Sequence, residues 1–498
     1  MDALIAVTDV INTYMYTYLL VFLLIIAGAY FSIRTRFVQF RYFKDMFSAL
    51  TEKRHVDGSD AVSSFQALMV STASRVGTGN IAGVATAIAM GGPGAVFWMW
   101  AMSIVGAASA FVESTLAQIW KVRGEEGEFR GGPAYYIQQA LGKRWLGVVF
   151  ACSLVLCFAV GFNGLQAFNL SSSFEYFIPG FRGSMAAFGL AVILTMFTAV
   201  IIFGGVKRVG VLSSVIVPMM AVVYLGFAVV LTIINIADVP AVMSLIFSSA
   251  FDFQSIFGGF AGSVVVIGIK RGLFSNEAGM GSAPNAAAAA SVSHPAKQGL
   301  VQTLSVFIDT AIICTCSAMI ILLFYVNGNP GDLNGMPLVQ AAVEHAVGPV
   351  GIYVITFSIV AFAFSSIIGN YFYAESNIKF IKNNKVVLFV FRVGCCIAVF
   401  FGAQSNFTLA WNLSDILMGI EAIINIFAIL LLGKWAMAAL DDYAEQKRKG
   451  LDPVFTADSI PGLPACECWH VKREELEHME RIKAAEAAHK VAEGILRD

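Results

Sequence analysis

Charge is what this sequence has least of. Only 13% of its 498 residues are Asp, Glu, Lys or Arg, while 58% are hydrophobic. A water-soluble surface on a chain of this length needs about twice that share of charge. Basic and acidic side chains nearly balance, at 32 and 33, and no basic patch is interleaved with aromatics, so nucleic acid is excluded as a partner. Histidine is scarce as well, with six scattered copies. That removes the metal cluster or nucleophile–base pair a membrane enzyme would show. No phosphate-binding glycine loop followed by Lys-Ser/Thr occurs, so ATP is not the expected energy source. Six cysteines, Cys152, Cys157, Cys314, Cys316, Cys395 and Cys396, lie in apolar runs, and Cys466 and Cys468 lie in the polar end. This is no secreted disulfide framework. Asp2 and Asp9 stand where a cleavable leader needs basic residues, so no signal peptide is expected.

What the chain has instead is a series of apolar runs about 18 residues long or longer, the length that crosses a bilayer. The mean hydropathy is +0.75. Eleven spans are expected of an all-α polytopic membrane protein, near 11–33, 63–90, 94–120, 146–176, 185–204, 209–236, 254–290, 299–326, 350–380, 386–403 and 408–433. The seventh reads as irregular, and a polar tail over 434–498 follows the last. Basic residues alternate by loop. Arg34, Arg36, Arg41, Lys44, Lys53 and Arg54 follow the first span, and Lys121, Arg123, Arg130, Lys143 and Arg144 the third. Lys207 and Arg208 follow the fifth; Lys270, Arg271 and Lys297 flank the end of the seventh; Lys379, Lys382 and Lys385 follow the ninth. The other loops hold almost none, Arg182 excepted. The positive-inside rule then places the N-terminus outside and the tail in the cytoplasm of a cell-membrane protein. Lys472 to Leu496 has the alternating charges of a solvated helix. Cys466, Cys468 and His470 lack the second ligand pair of a zinc site.

One span has too many glycines for its task. "STASRVGTGNIAGVATAIAM", Ser71 to Met90, carries Gly77, Gly79 and Gly83 together with Arg75. Glycine costs a helix interior about 1 kcal/mol relative to alanine, so unwinding here is cheap. A break frees carbonyls before it, which suit a small hard cation such as Na⁺. It also frees N–H groups that open a second half-helix, which suit a carboxylate. Competing readings are a GxxxG packing face at Gly79 and Gly83, an imperfect dinucleotide fingerprint, and a packing role for Arg75. "FGGFAGSVVVIG", Phe257 to Gly268, opens the seventh span with a second glycine-rich stretch. With the first span set aside, ten remain as five and five, each five opening on a broken helix. That pattern indicates inverted repeats with a site at the membrane midplane. The expected division is 1–34 as an extra N-terminal transmembrane helix, 35–61 as a cytoplasmic loop, 62–236 and 237–433 as the two repeats, and 434–498 as a partly helical tail.

At these residues the chain resembles the alanine or glycine:cation symporter family. The resemblance lies in "SRVGTGNIAGVATAIAMGGPGAVFWMW" (Ser74–Trp100), "GGPAYYI" (Gly131–Ile137), "RGLFSNEAGMGSAPNAAAAA" (Arg271–Ala290) and "HPAKQGL" (His294–Leu300). It covers residues 10–435 and leaves out the tail. The resemblance implies a LeuT-type fold of ten core helices plus one, and sodium-driven uptake of alanine, glycine or a similar small neutral amino acid. It implies Na⁺ as the coupling ion, with no organic cofactor. It places main-chain oxygens of Ala73 and Val76, with the hydroxyls of Ser365 and Ser366, on Na⁺. It places the amides of Thr78 and Gly79 on the substrate carboxylate. Carbonyls near Gly258 and Gly259 would receive the amino group, with Phe260 lining the side-chain space. Gln166 is implied as a polar substrate contact and Asn370 as part of the pocket wall, where "GNYFYAE" departs from the tryptophan-containing version of other members. From the residues alone, Asp309 is expected as half of an ion pair with Arg75 or Arg392, or else as a coupling or proton site. Glu277 is expected at a gate or loop with no chemical role. Monomer and weak oligomer stay open, as does proton coupling on the same scaffold.

Overall fold

The computed structural model describes residues 2–52, 62–124, 127–204, 206–252, 263–456 and 458–469, leaving aside the side chains of 2–4 and 206–210. Phe257, Gly258, Gly259, Phe260 and the 472–496 helix therefore lie outside the described residues.

Nine helices are long and apolar enough to cross a membrane among the described residues: Ile5–Arg34 (α1), Ala95–Ile119, Arg144–Ser172, Met185–Ile202, Val211–Ile234, Pro295–Asn327, Pro349–Ile381, Lys385–Ala403 and Phe407–Arg448. They match nine of the eleven expected spans. The other two expected spans are the interrupted ones. The 63–90 segment divides into Ser64–Arg75 and Ala82–Gly91. The described part of 254–290 divides into Val264–Asn276 and Pro284–Ala289.

In chain order after α1, the helices used below are Phe43–Leu50 (α2), Ser64–Arg75 (α3), Ala82–Gly91 (α4), Ala95–Ile119 (α5), Pro133–Leu141 (α6) and Arg144–Ser172 (α7). Then come Met185–Ile202 (α8), Val206–Ile234 (α9), Val239–Ala250 (α10), Val264–Asn276 (α11), Pro284–Ala289 (α12) and Pro295–Asn327 (α13). Gly335–Val347 (α14), Pro349–Ile381 (α15), Lys385–Ala403 (α16) and Phe407–Arg448 (α17) complete the set. The described strands form a single two-residue antiparallel hairpin, Val122–Arg123 with Phe129–Arg130.

Burial separates inner from outer helices. The most apolar windows of α5, α13 and α15 are each 67% buried, those of α9 and α16 only 28%. Their uncovered surface is apolar: Val215, Val222, Val229 and Ile233 stand exposed on α9, Phe389 and Phe401 on α16. Contiguous exposed apolar surface on this scale is lipid-facing in a membrane protein.

The helices pack as two groups. α3 and α5 each pack against α11, α12 and α13, and α7, α8, α15 and α16 form the second set. α9 and α17 touch both. α4 joins the first group through α5 and α11, so both interrupted segments lie there, and α3 also packs directly on α15 of the second.

α17 runs on to Arg448, so the helical part of the expected 434–498 tail includes 434–448, continuous with the last span. The segment after it folds back: Phe455 N–H donates to the Ser293 carbonyl at 2.9 Å and Trp469 Nε1 to the Gln118 carbonyl at 2.8 Å. Lys270 and Arg271 are not loop residues. They lie inside α11 and share Asp415 of α17, at 3.0 and 2.9 Å. Burial demands that compensation, because an unpaired cation inside the membrane is costly.

Candidate functional site

α3 starts on a capping box. Ser63 Oγ accepts the Gln66 N–H at 3.2 Å and Gln66 Oε1 accepts the Ser63 N–H at 2.9 Å. The helix ends at Arg75. Val76 leaves it at φ −79°, ψ 82°, and Gly77 is extended. One 3₁₀ turn, Thr78–Asn80, intervenes before α4. The expected break is present.

Its backbone groups are met by side chains, as an unwound segment in a membrane requires. Asn80 Oδ1 accepts the Gly77 N–H at 3.0 Å. Gln166 Oε1, from α7, accepts the Thr78 N–H at 2.9 Å. Asn169 Nδ2 donates to Thr78 Oγ1 at 2.8 Å. From α15, the Ser366 hydroxyl donates to the Val76 carbonyl at 3.3 Å. The glycines are needed for close approach. A Cβ on Gly77 would lie 2.4 Å from Ser366 Oγ, and one on Gly79 2.1 Å from the Phe274 ring.

Among the described residues, the second segment breaks after Asn276; the Gly258–Gly262 stretch lies outside them. α11 stops at Asn276, and Glu277 takes a left-handed conformation at φ 54°. Gly279 and Gly281 follow at φ 90° and 89°, and α12 opens on Pro284. Positive φ at three of five consecutive positions is incompatible with helix.

The two breaks meet. Ser74 Oγ lies 3.0 Å from Glu277 Oε1 and 2.7 Å from Asn370 Oδ1. Asn370 Nδ2 donates in turn to Asn163 Oδ1 of α7 at 3.0 Å, and Ser282 Oγ to Glu277 Oε2 at 2.6 Å. Glu277, expected at a gate without a role, is 1% exposed and joins both breaks. A signal for it exists in the sequence: "SNEAGMGSAPN", Ser275 to Asn285, interrupts an apolar segment with an acid, two glycines and a proline.

Asp309 also departs from expectation. It sits in a π-helical turn of α13, Phe307–Cys314, a local distortion often found at functional sites. Its Oδ1 accepts from Asn80 Nδ2 at 2.6 Å and its Oδ2 from the hydroxyls of Thr310, at 3.0 Å, and Ser275. No ion pair reaches it among the described residues. Arg75 points to Gln302 Oε1 at 3.4 Å, with Nε and Nη2 lacking hydrogen-bond partners in the described structure. Arg392 pairs with Glu375 at 3.5 Å and donates to Tyr371 at 2.8 Å. The expected Asp309 ion pair is therefore replaced by neutral donors.

The structure thus brings together Ala73, Val76, Thr78, Gly79, Gln166, Ser366 and Asn370. Ala73 is fully buried against α15, where a Cβ on Gly369 would lie 3.0 Å from the Ala73 carbonyl carbon. Ser365 is set apart: its hydroxyl donates to the Phe362 carbonyl at 3.1 Å and faces Met220 Sδ at 3.3 Å. Beside Gly79, Phe274 lies between Phe162 and Trp411, ring centroids 4.8 and 5.4 Å away. Two surface hollows lie elsewhere: one of about 330 Å³ by Asn235 and His345, the other of about 780 Å³ by Arg41 and Arg448.

Known proteins agree with this architecture. The crystal structure of MhsT in complex with L-phenylalanine, a LeuT-fold transporter, superposes at a TM-score of 0.57, covering 77% of this chain and 96% of that one at 15% identity. That likeness concerns the fold. The amino-acid carrier protein AlsT of Bacillus subtilis is 50% identical over 92% of this chain and 96% of its own. The probable sodium/glutamine symporter GlnT of the same organism is 45% identical over 93% and 96%. The sodium/alanine symporter AgcS of Methanococcus maripaludis is 35% identical over 86% and 94%. A model of the sodium:alanine symporter family matches residues 1–457, and with two broken helices meeting inside a LeuT-type fold, the chain belongs to that family.

Proposed function

We propose that this protein carries alanine, or a similarly small neutral amino acid, into the cell together with Na⁺ by alternating access. The observation that carries the reading is the Thr78 N–H. It is held by a carboxamide oxygen from Gln166 at 2.9 Å, the acceptor chemistry that a substrate carboxylate offers in its place. Gly79 supplies the neighbouring amide. The carbonyls of Ala73 and Val76, with Ser366 beside the latter, form the proposed Na⁺ site; Ser365 joins it only by turning from Met220. Neutral oxygen ligands hold a monovalent ion weakly, as turnover requires.

The amino group is assigned to the second break. The last carbonyls of α11 have no helical partners of their own, so those of Phe274 to Asn276 are the proposed acceptors. Phe274 and Trp411 line the side-chain space beside them, and Gly258, Gly259 and Phe260, also implied there, lie outside the described residues. Asn370 positions Ser74 between the breaks. The topology proposed is eleven crossings, N-terminus outside and C-terminus cytoplasmic, with 62–236 and 237–433 as inverted repeats after the 1–34 helix.

A zwitterion adds no net charge, so a cycle with one Na⁺ moves one positive charge inward. At roughly −150 mV that is worth about 3.5 kcal/mol, enough for roughly several hundredfold accumulation. Purified protein in sealed liposomes tests the proposal. Labelled alanine should enter only with an inward Na⁺ gradient, faster when the interior is negative. Uptake that persists when choline replaces Na⁺ at fixed pH would remove sodium from the account. Competition with unlabelled glycine, serine and glutamine then ranks the substrates.

A further inference from the structure

The second break depends on a side-chain network that belongs to neither the ion site nor the carboxylate site. Gly279 is a peptide unit without helical partners, yet both of its polar groups are met. Its N–H donates to Glu113 Oε1 of α5 at 3.2 Å, and its carbonyl accepts from Asn425 Nδ2 of α17 at 2.9 Å. Asn425 Nδ2 spends its other hydrogen on Glu113 Oε2 at 2.7 Å, and Asn425 Oδ1 takes the Tyr136 hydroxyl of α6. Glu113, Tyr136 and Asn425 are each 0% exposed.

Both hydrogens and the oxygen of the Asn425 carboxamide are thereby directed. Its two hydrogens point at two acceptors and its oxygen at one donor, so the network allows one orientation. The same residue packs against the break: a Cβ on Gly281 would lie 2.8 Å from the Asn425 side chain and 2.6 Å from Pro133 at the start of α6. α5 belongs to the helix group that contains the breaks, and α17 touches both groups.

We propose that Glu113 and Asn425 are positioning residues that hold the second break in the geometry that recognises the substrate amino group. They touch neither substrate nor ion; they fix Gly279, three residues beyond the end of α11. The proposal rests on the assignment of the amino group to that break. Asparagine and glutamate are specifically required. An aspartate in place of Asn425 has no hydrogen to give and sets a second carboxylate against Glu113. A glutamine in place of Glu113 sets an amide donor against the Asn425 donor. With both changes the contact between α5 and α17 is restored, since the new carboxamide can donate to the new carboxylate while its oxygen still accepts the Gly279 N–H, but the Gly279 carbonyl stays without the donor that Asn425 Nδ2 supplied.

The test measures alanine uptake and Na⁺ binding by purified protein in liposomes. Asn425→Asp is expected to raise the KM for alanine about tenfold or more, with the maximal rate per folded transporter changed much less. Binding of labelled Na⁺ in the absence of alanine should stay within about twofold, because the first break is untouched. Adding Glu113→Gln to Asn425→Asp should recover only the part of the affinity lost to carboxylate repulsion, since the Gly279 carbonyl still lacks its donor. Should Asn425→Asp fail to insert, Tyr136→Phe, which removes one hydroxyl, is expected to raise KM about threefold. An unshifted KM, or Na⁺ binding that falls in step with it, overturns the proposal. Absence of Na⁺-driven uptake by the unaltered protein overturns the underlying reading instead.

Discussion

Two adjacent serines on one helix end in different places. Ser366 reaches the Val76 carbonyl at 3.3 Å, whereas Ser365 back-bonds to Phe362 and faces Met220. Consecutive residues on a helix point about 100° apart, so a pair that looks equivalent in the sequence divides in space. Replacing Ser366 by alanine should raise the half-saturating Na⁺ concentration about tenfold or more, while Ser365→Ala shifts it less than about threefold. Na⁺-dependent uptake curves for the two variants decide; equal shifts would show that Ser365 turns inward to the ion. Buried acids are the residues least legible in the sequence. Asp309 invites an arginine partner because charge is costly in a membrane, but three neutral donors around it can be seen only once Asn80, Ser275 and Thr310 are brought together. Glu277 is flagged by the polar, glycine-containing stretch around it and Glu113 is not, and only the fold joins one to Ser74 and the other to Gly279.

Among elements, the first break can be read from its glycines because both of its special requirements are local in sequence. Backbone freedom and absence of a side chain are both written as Gly77 and Gly79. For the second segment the densest glycine run, Gly258–Gly262, lies outside the described residues, and the described discontinuity falls at Glu277–Ala283. There the departure from helix needs positive φ at Glu277, Gly279 and Gly281, and the alternate spacing of the two glycines is its signal in the sequence. Gly281→Ala should cost about 1–2 kcal/mol for the left-handed backbone alone, with a further cost from the contact with Pro133. The purified variant should lose monodispersity at a lower temperature than the unaltered protein and transport poorly. Gly226→Ala on α9 is the control, since no atom lies within 4 Å of a Cβ there. Equal stability of the two variants would mean that the turn at Gly281 is not required. The boundaries of the nine long helices are legible in the sequence to within a few residues. The exceptions are α1, which begins before the expected residue 11, and α17, whose extension to Arg448 is held by contacts such as Lys447–Asp45, at 2.7 Å, far apart in the chain.

At the scale of the whole molecule, the separation of inner from outer helices follows from composition, and the grouping of inner helices follows from where the breaks sit. A helix with regular backbone can slide or tilt as a rigid rod; a helix with an unwound middle carries peptide groups that must be satisfied at every stage. Gln166, Ser366, Asn80, Glu113 and Asn425 supply that satisfaction here. On the proposed site, substrate and ion would supply it when bound, which would lock the two helix groups together and link transport of the amino acid to transport of the ion. The most direct test is an experimental map of the protein prepared with saturating alanine and Na⁺. The account predicts the alanine carboxylate on the Thr78 and Gly79 amides, with Gln166 moved aside, the ammonium at the end of α11, and an ion between Val76 and Ser366. Alanine density away from both breaks, or regular α-helix running unbroken through residues 76–81 and 277–283, would contradict it.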